Sequence, residues 1–154
     1  MPSHDYEEFI AALNRRKVRY LIVGAHAVAH HARPRATKDL DLFIDPTETN
    51  ARRVLAAMKD FFGGTELGYT TGDLTDPGWI VQLGVAPVRI DIMSRLDGCP
   101  DFGRAWASRV DGTFGAERAD YIGLEELIAA KTKAGRLQDR ADVRVLRRVR
   151  AGRG

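Results

Sequence analysis

Cysteine, long hydrophobic runs and a leader-like start are scarce or missing in this chain. Its 154 residues include one cysteine, Cys99, which excludes an internal disulfide framework and suits a reducing compartment. No apolar run approaches the roughly 20 residues that a membrane-spanning helix requires. The first residues, Met1 to Asp5, lack the basic-then-apolar order of a signal peptide. We therefore expect a cytoplasmic protein without a membrane segment.

The composition is that of an ordinary globular protein. Hydrophobic residues make up 44% of the chain and charged residues 29%, so neither a disordered nor a fibrous class fits. The length is sufficient for one compact domain with a real core. We expect a single domain over residues 1–150, followed by a frayed tail at 151–154 that is rich in arginine and glycine.

Hydrophobic patterning predicts helices and strands in alternation, followed by a hairpin. Strands are expected at 20–23 and 40–44, and a hairpin at 79–83 and 88–93. Helices are expected at 4–13, 25–32, 47–62 and 102–108, with another starting at 124 and a last one at 138–150. Residues 65–77 give no clear pattern. The order of elements predicts an α/β (α+β) fold, with a small mixed β-sheet flanked by helices.

Two aspartates one residue apart, Asp39 and Asp41, stand at the start of an apolar strand. Side chains alternate along a strand, so both carboxylates point to the same side. Adjacent carboxylates repel each other unless a positive charge lies between them. In proteins this positive charge is usually a divalent cation. The two aspartates are therefore a candidate Mg²⁺ site for phosphoryl or nucleotidyl transfer.

A third aspartate, Asp91, interrupts the apolar strand at 88–93 and shares its face with Arg89. One interpretation places Asp91 on the solvent side of a half-buried strand. The other joins it to Asp39 and Asp41, where it could complete a metal site or accept a proton from an attacking hydroxyl.

Glycine and basic residues around the aspartates suggest contacts with phosphate. Gly24 and Ala25 follow the first strand, where a close backbone and a helix N-terminus can hold a triphosphate. Arg35 and Lys38 could hold phosphate or could be plain surface charges. The segment from Lys131 to Gly154 has nine basic and two acidic residues, in a chain of net charge +3. It is either a surface for phosphate or nucleic acid or a solvated helix face.

Together these residues resemble the DNA polymerase beta-like nucleotidyltransferases. The resemblance is carried by Gly24-Ala25, the pattern Thr37-x-Asp39-x-Asp41, and Asp91 between apolar neighbours. It covers roughly residues 18 to 146. The string from Leu21 to Ala29, with the lysine, arginine and aspartates near the C-terminus, is similar to the small bacterial branch that includes AbiEii-type toxins. The C-terminal members of this pattern are Lys131, Arg136, Asp139 and Asp142.

The resemblance implies a nucleotidyltransferase fold and a metal-dependent transfer of NMP from an NTP to a hydroxyl of RNA, protein or a small molecule. Asp39, Asp41 and Asp91 would bind Mg²⁺ or Mn²⁺. Lys131 would neutralise developing charge. Its position in a helical segment also fits an ordinary lysine on the protein surface. The nucleotide would lie against Gly24, Ala25, Arg35, Thr37 and Lys38.

One departure from the family pattern leaves a second interpretation open. The family's turn usually reads Gly-Gly or Gly-Ser, whereas Ala25 offers only its backbone N–H. The chain could therefore be a catalytically degenerate member that binds a protein or nucleic-acid partner. If it is active, the resemblance implies RNA as an acceptor, in particular the tRNA 3′ end, and a toxin paired with a cognate antitoxin.

Overall fold

In the computed structural model, which describes residues 4–34, 39–85 and 88–153, helices and strands alternate through most of the chain. The helices are α1 (His4–Arg15), α2 (Gly24–His31), α3 (Glu48–Phe61), α4 (Thr71–Thr75), α5 (Phe102–Ala107), α6 (Leu124–Ala134) and α7 (Leu137–Arg153). The strands are β1 (Tyr20–Val23), β2 (Asp39–Ile44), β3 (Ile80–Val85), β4 (Val88–Met93), β5 (Val110–Phe114) and β6 (Glu117–Tyr121).

The strands form one mixed sheet in the order β3-β4-β2-β1-β6-β5. The pairs β2–β4 and β1–β6 are parallel, and the other neighbours are antiparallel. Helices flank this sheet, which confirms the predicted α/β class with a small mixed sheet. Within the described ranges, no helix is both long and apolar enough to cross a lipid bilayer.

Burial of apolar side chains explains why the first elements form where they do. Strand β1 is buried along its whole length, as its unbroken apolar run predicts. Helix α1 places Phe9, Ile10 and Leu13 in the core, with none of the three exposed. Burying each such side chain contributes about 1.5–3 kcal/mol relative to leaving it exposed. The same helix packs against α3 and against β4 and β6, and so reaches the centre of the sheet.

A buried amide fastens the start of β1 to the end of β2. Asn50 in α3 accepts a hydrogen bond from the Arg19 N–H at 2.8 Å and donates to the carbonyls of Arg19 at 3.0 Å and Asp45 at 2.9 Å. Thr47 caps α3, because its hydroxyl accepts from the Asn50 N–H at 3.2 Å. These bonds anchor strand β2, which carries Asp39 and Asp41.

Two parts of the chain have structure that the patterning did not predict. Helix α4 lies in the segment 65–77 and begins with a reciprocal capping box between Thr70 and Asp73. The threonine followed three residues later by an acid was a usable signal for this helix. The hairpin of β5 and β6 covers residues 110–121, where the apolar alternation is weak. Helix α7 extends to Arg153; the single domain at 1–150 and the frayed end at 151–154 stay predictions.

Candidate functional site

The three aspartates come together on two neighbouring parallel strands. Asp41 of β2 is the direct register partner of Asp91 of β4, and Asp39 is the partner of Arg89. Because residues in register on parallel strands project to the same side of a sheet, the two β2 carboxylates and Asp91 share one face. The structure thus brings together the three acids that the sequence singled out.

Asp41 and Asp91 lie close enough for each carboxyl group to affect the ionisation of the other. Burial, reinforced by the negative charges of Asp91 and Asp39, raises the pKa of Asp41 to about 7. Burial likewise raises the pKa of Asp91, although the Arg89 guanidinium opposes the rise. Two adjacent carboxylates with too little positive charge around them take up a proton more readily than a solvated aspartate does.

Arg89 supplies part of that positive charge. Its Nη2 lies 2.8 Å from Asp39 Oδ2 and donates to Asp91 Oδ2 at 3.2 Å, and its Nε lies 3.1 Å from Asp91 Oδ1. The guanidinium therefore bridges the acids of both strands. The alternation of side chains along the strand placed Arg89 on the face of Asp91. The pairing register was needed to show that it also meets Asp39.

Tyr6 of α1 holds the backbone of Arg89. Its hydroxyl accepts a hydrogen bond from the Arg89 N–H at 3.0 Å and donates to the Arg89 carbonyl at 3.2 Å. The ring of His26 meets the Tyr6 ring edge-on at 5.9 Å. Nothing in the sequence pattern identified Tyr6, which reaches β4 only because α1 packs across the sheet.

Gly24 is the first residue of α2 and lies against Asp41. Its φ of +69° is in the left-handed region, which favours glycine. A Cβ at this position would overlap Asp41 Oδ2. The backbone of Gly24 therefore lies close to the Asp41 carboxylate. The sequence predicted a close approach of this backbone to a bound triphosphate. Gly24 and Ala25 form the first turn of the helix, and no side chain caps that turn, since Val23 occupies the N-cap.

Lys131 of α6 is a nearly buried lysine, so the interpretation of a plain surface residue was wrong. Its side chain is 11% exposed, and its Nζ lies 3.2 Å from Asp139 Oδ1 and 3.1 Å from Asp142 Oδ2 of α7. Arg136 adds a second ion pair to Asp139 at 2.7 Å. The charge of Lys131 opposes the rise in the pKa of Asp41, so Lys131 lies near enough to act on that aspartate.

A basic groove opens between α6 and α7 on the other side of Lys131. Its volume is about 420 Å³, and its lining includes the exposed Arg140, Arg144 and Arg147. Within the described part of the chain, these three arginines make no ion pairs, because Asp139 and Asp142 face inward to Lys131. The exposed side of α7 is consequently a cationic surface.

The remaining predicted nucleotide contacts, Arg35, Thr37 and Lys38, lie outside the described residues. They stay predictions. The histidines of α2 serve local packing. His31 Nε2 lies 2.6 Å from the carbonyl oxygen of Ile122, and His30 stacks on Tyr121 with ring centroids 3.9 Å apart.

The acids fit a hard divalent cation chemically. Carboxylate oxygens are the donors that Mg²⁺ and Mn²⁺ prefer. Asp91 Oδ1 is a buried oxygen without a hydrogen bond, so it has capacity for a further partner. Among residues 4–34, 39–85 and 88–153, however, no three acidic, imidazole or thiol groups are gathered tightly enough to form a ready metal site. Arg89 occupies the space between Asp39 and Asp91.

Comparison with known proteins gives one family. The model of the family described as "Nucleotidyl transferase of unknown function (DUF2204)" matches residues 2–153. No curated protein matches the chain. The match includes every strand of the sheet and all three aspartates, so it spans the whole candidate site. The chain belongs to this family of nucleotidyl transferases of unknown function.

Proposed function

We propose that this protein is a metal-dependent nucleotidyltransferase that moves an NMP from an NTP to a hydroxyl of an acceptor. The observation that carries the proposal is the meeting of Asp39, Asp41 and Asp91 on adjacent strands beside the first turn of α2. Family membership supports the reaction class. The likeness to the DNA polymerase beta-like enzymes, and to their AbiEii-like branch, is part of the proposal.

The three aspartates would hold Mg²⁺ or Mn²⁺. Bound there, the cation supplies the charge neutralisation on which phosphoryl transfer depends. The N–H groups of Gly24 and Ala25 would donate to the triphosphate at the N-terminus of α2. Lys131 would add positive potential from its place beside Asp41. Arg35, Thr37 and Lys38 are proposed as further nucleotide contacts.

The transfer step needs a base and a leaving group. The acceptor oxygen would form a bond to the α-phosphorus while the bond from that phosphorus to the bridging oxygen breaks and releases pyrophosphate. The hydroxyl proton would pass to a carboxylate, and we propose Asp91 for this role because it lies in register opposite Asp41. Burial raises the pKa of Asp91 above the ordinary value, which makes it a stronger proton acceptor than a solvated aspartate.

A thermal shift assay tests this proposal. MnCl₂ or MgCl₂ together with an NTP should raise the Tm of the wild type, and Asp39→Asn with Asp41→Asn should remove the shift. Asp111→Asn is the matched control, because Asp111 is an exposed aspartate on β5 with its own arginine partner. If none of the four NTPs with either metal shifts the wild-type Tm, the enzymatic proposal is overturned.

RNA is the acceptor class that we propose. The exposed arginines of α7 give a surface for phosphate beside Lys131. From Arg140 to Arg147 the helix rises about 10 Å, so the arginines form an extended row of charge. A tRNA 3′ end as the acceptor, a role as a toxin and a cognate antitoxin are the finer parts of this proposal, suggested by the AbiEii-like resemblance.

Binding of a labelled single-stranded RNA at several salt concentrations tests the acceptor class. Arg140→Gln with Arg144→Gln should weaken binding and reduce the salt dependence by about 0.7 per lost phosphate contact. Arg52→Gln with Arg53→Gln on α3 removes the same charge elsewhere and should change the slope little. Salt-independent binding, or equal effects of the two double variants, would contradict RNA binding through α7.

A second candidate function is a degenerate member that binds a partner without chemistry. The ion pairs of Arg89 with Asp39 and Asp91 favour it, because they occupy groups that a metal would need. Ala25 in place of a second glycine or a serine points the same way. This candidate predicts partner binding that persists in EDTA and in Asp41→Asn, whereas an enzyme would lose its nucleotide-dependent shift under both conditions.

A further inference from the structure

The guanidinium of Arg89 bridges two carboxylates from different strands. It lies 2.8 Å from Asp39 and 3.1 Å from Asp91, and its side chain is 35% exposed. Both acids lie on the face that also carries Asp41. Three adjacent carboxylates need compensating positive charge to stay on one sheet face, and Arg89 supplies a unit charge from within the chain.

The bridge to Asp91 is incomplete as a set of hydrogen bonds. Arg89 Nε and Asp91 Oδ1 are both buried and have no hydrogen-bond partner, although they lie close enough for an ion pair. A well-formed arginine–carboxylate pair makes two parallel hydrogen bonds. Electrostatic attraction therefore stabilises the contact between Arg89 Nε and Asp91 Oδ1 more than hydrogen bonding does. A divalent cation, which needs no hydrogen-bond direction, would use Asp91 Oδ1 better than Arg89 does.

The side chain can leave the acids without moving the strand. Tyr6 anchors the backbone N–H and carbonyl of Arg89, so β4 stays in place when the guanidinium turns away. The partial exposure of the side chain gives it a route to solvent. A divalent cation and Arg89 cannot both contact Asp39 Oδ2 and Asp91 without strong repulsion between the two cations.

We infer that Arg89 is an exchangeable counter-ion of Asp39 and Asp91, which neutralises these acids when no divalent cation is bound and competes with that cation for them. This inference rests on the proposed function, because the cation is the one that nucleotidyl transfer would use. It makes Arg89 a residue that tunes metal affinity from the edge of the site. Its role is separate from that of a metal ligand.

Direct Mn²⁺ titration without nucleotide, followed by the electron paramagnetic resonance of free Mn²⁺, tests the inference. In Arg89→Gln the dissociation constant for Mn²⁺ should fall about tenfold or more, since a unit charge in contact with the ligands has been removed. Arg89→Lys keeps the positive charge beside the acids. Its compact ammonium cannot bridge both carboxylates as the planar guanidinium does. Its dissociation constant should lie between those of Arg89→Gln and the wild type.

The chain offers a matched control on the other hairpin. Arg118 also bridges two acids, with Nη2 at 2.8 Å from the buried Asp120 and at 3.3 Å from the exposed Asp111. Like Arg89, it stands two residues before its buried aspartate. Arg118→Gln removes the same charge and the same kind of bridge, and Mn²⁺ affinity should stay at the wild-type value.

The outcomes separate this inference from the proposed function. Mn²⁺ binding of equal strength in the wild type and both Arg89 variants overturns the role of Arg89 and leaves the metal site intact. Weaker binding in Arg89→Gln also overturns it. An absence of Mn²⁺ binding in all four proteins overturns the counter-ion role, and the proposed function is then decided by the thermal shift with metal and NTP together. Binding by Arg89→Gln with none by the wild type supports the counter-ion role and favours the degenerate candidate function.

Discussion

Tyr6 holds Arg89 by both ends of its peptide backbone, with the hydroxyl accepting from the N–H at 3.0 Å and donating to the carbonyl at 3.2 Å. One side chain of the first helix thus anchors the strand that carries the third aspartate. The contact spans 83 residues of sequence. It links the packing of α1 on the sheet to the placement of the acids.

Tyr6→Phe should destabilise the protein by about 1–2 kcal/mol, because two backbone groups lose a partner while the ring keeps its packing. Urea unfolding followed by circular dichroism measures the change. Tyr69→Phe is the control, since the Tyr69 hydroxyl makes one long bond of 3.4 Å at the surface. If the two variants lose the same free energy of unfolding, the anchor has no special importance.

Gly24→Ala should affect stability and the site together. The left-handed φ of Gly24 disfavours a side chain by about 1–2 kcal/mol, and the new Cβ would also displace the Asp41 carboxylate. Gly63→Ala isolates the first effect, because Gly63 has a φ of +67° and nothing near its Cβ position. We expect similar backbone strain in both variants, a larger loss of Tm in Gly24→Ala, and loss of the Mn²⁺-dependent shift in Gly24→Ala alone. A preserved shift in Gly24→Ala would show that Asp41 tolerates the displacement.

Lys131→Met should cost about 3–5 kcal/mol, because it leaves the buried Asp139 and Asp142 without their shared cation. Lys133→Met on the exposed side of the same helix should change the free energy of unfolding by less than about 0.5 kcal/mol. Chemical denaturation of the two variants measures the difference. A small loss in Lys131→Met would mean that Arg136 alone compensates Asp139.

Acid should destabilise the protein through His26. Burial lowers the pKa of His26 to about 4, from an ordinary value of 6.5. As the pH falls below 6.5, His26 is protonated in the unfolded chain but stays neutral in the folded protein. The free energy of unfolding therefore has its full value above pH 6.5, with respect to His26, and declines toward pH 4. Asp41 acts in the opposite direction, since its raised pKa makes folding less favourable as the pH rises toward 7.

A matched pair of variants isolates the contribution of His26. His26→Phe keeps an aromatic ring between Tyr6 and Phe114 but cannot titrate. Between pH 7.5 and pH 5, it should lose about 1–2 kcal/mol less free energy of unfolding than the wild type. His4→Gln at the exposed start of α1 should follow the wild type. Parallel pH profiles for all three proteins would contradict the assignment to His26.

Local patterns predicted most of the elements near the site. The apolar run of β1 and the cap at Thr47 needed only neighbouring residues, so the sequence was sufficient for them. Helix α4 was missed although its capping box, Thr70 with Asp73, is a local signal. The hairpin of β5 and β6 was missed because its short polar strands depend on pairing beside β1 rather than on their own hydrophobicity.

The sequence alone determined that Asp39 and Asp41 share one side of a strand, since the alternation of side chains is a property of the extended backbone. Only the tertiary structure decided their neighbours. The parallel register of β2 with β4 places Asp91 opposite Asp41, and it places Arg89 between Asp39 and Asp91. Such a register depends on non-local hydrogen bonds and core packing, which no single stretch of sequence specifies. The motif that identified Asp39 and Asp41 therefore could not predict that Arg89 pairs with Asp39 and Asp91.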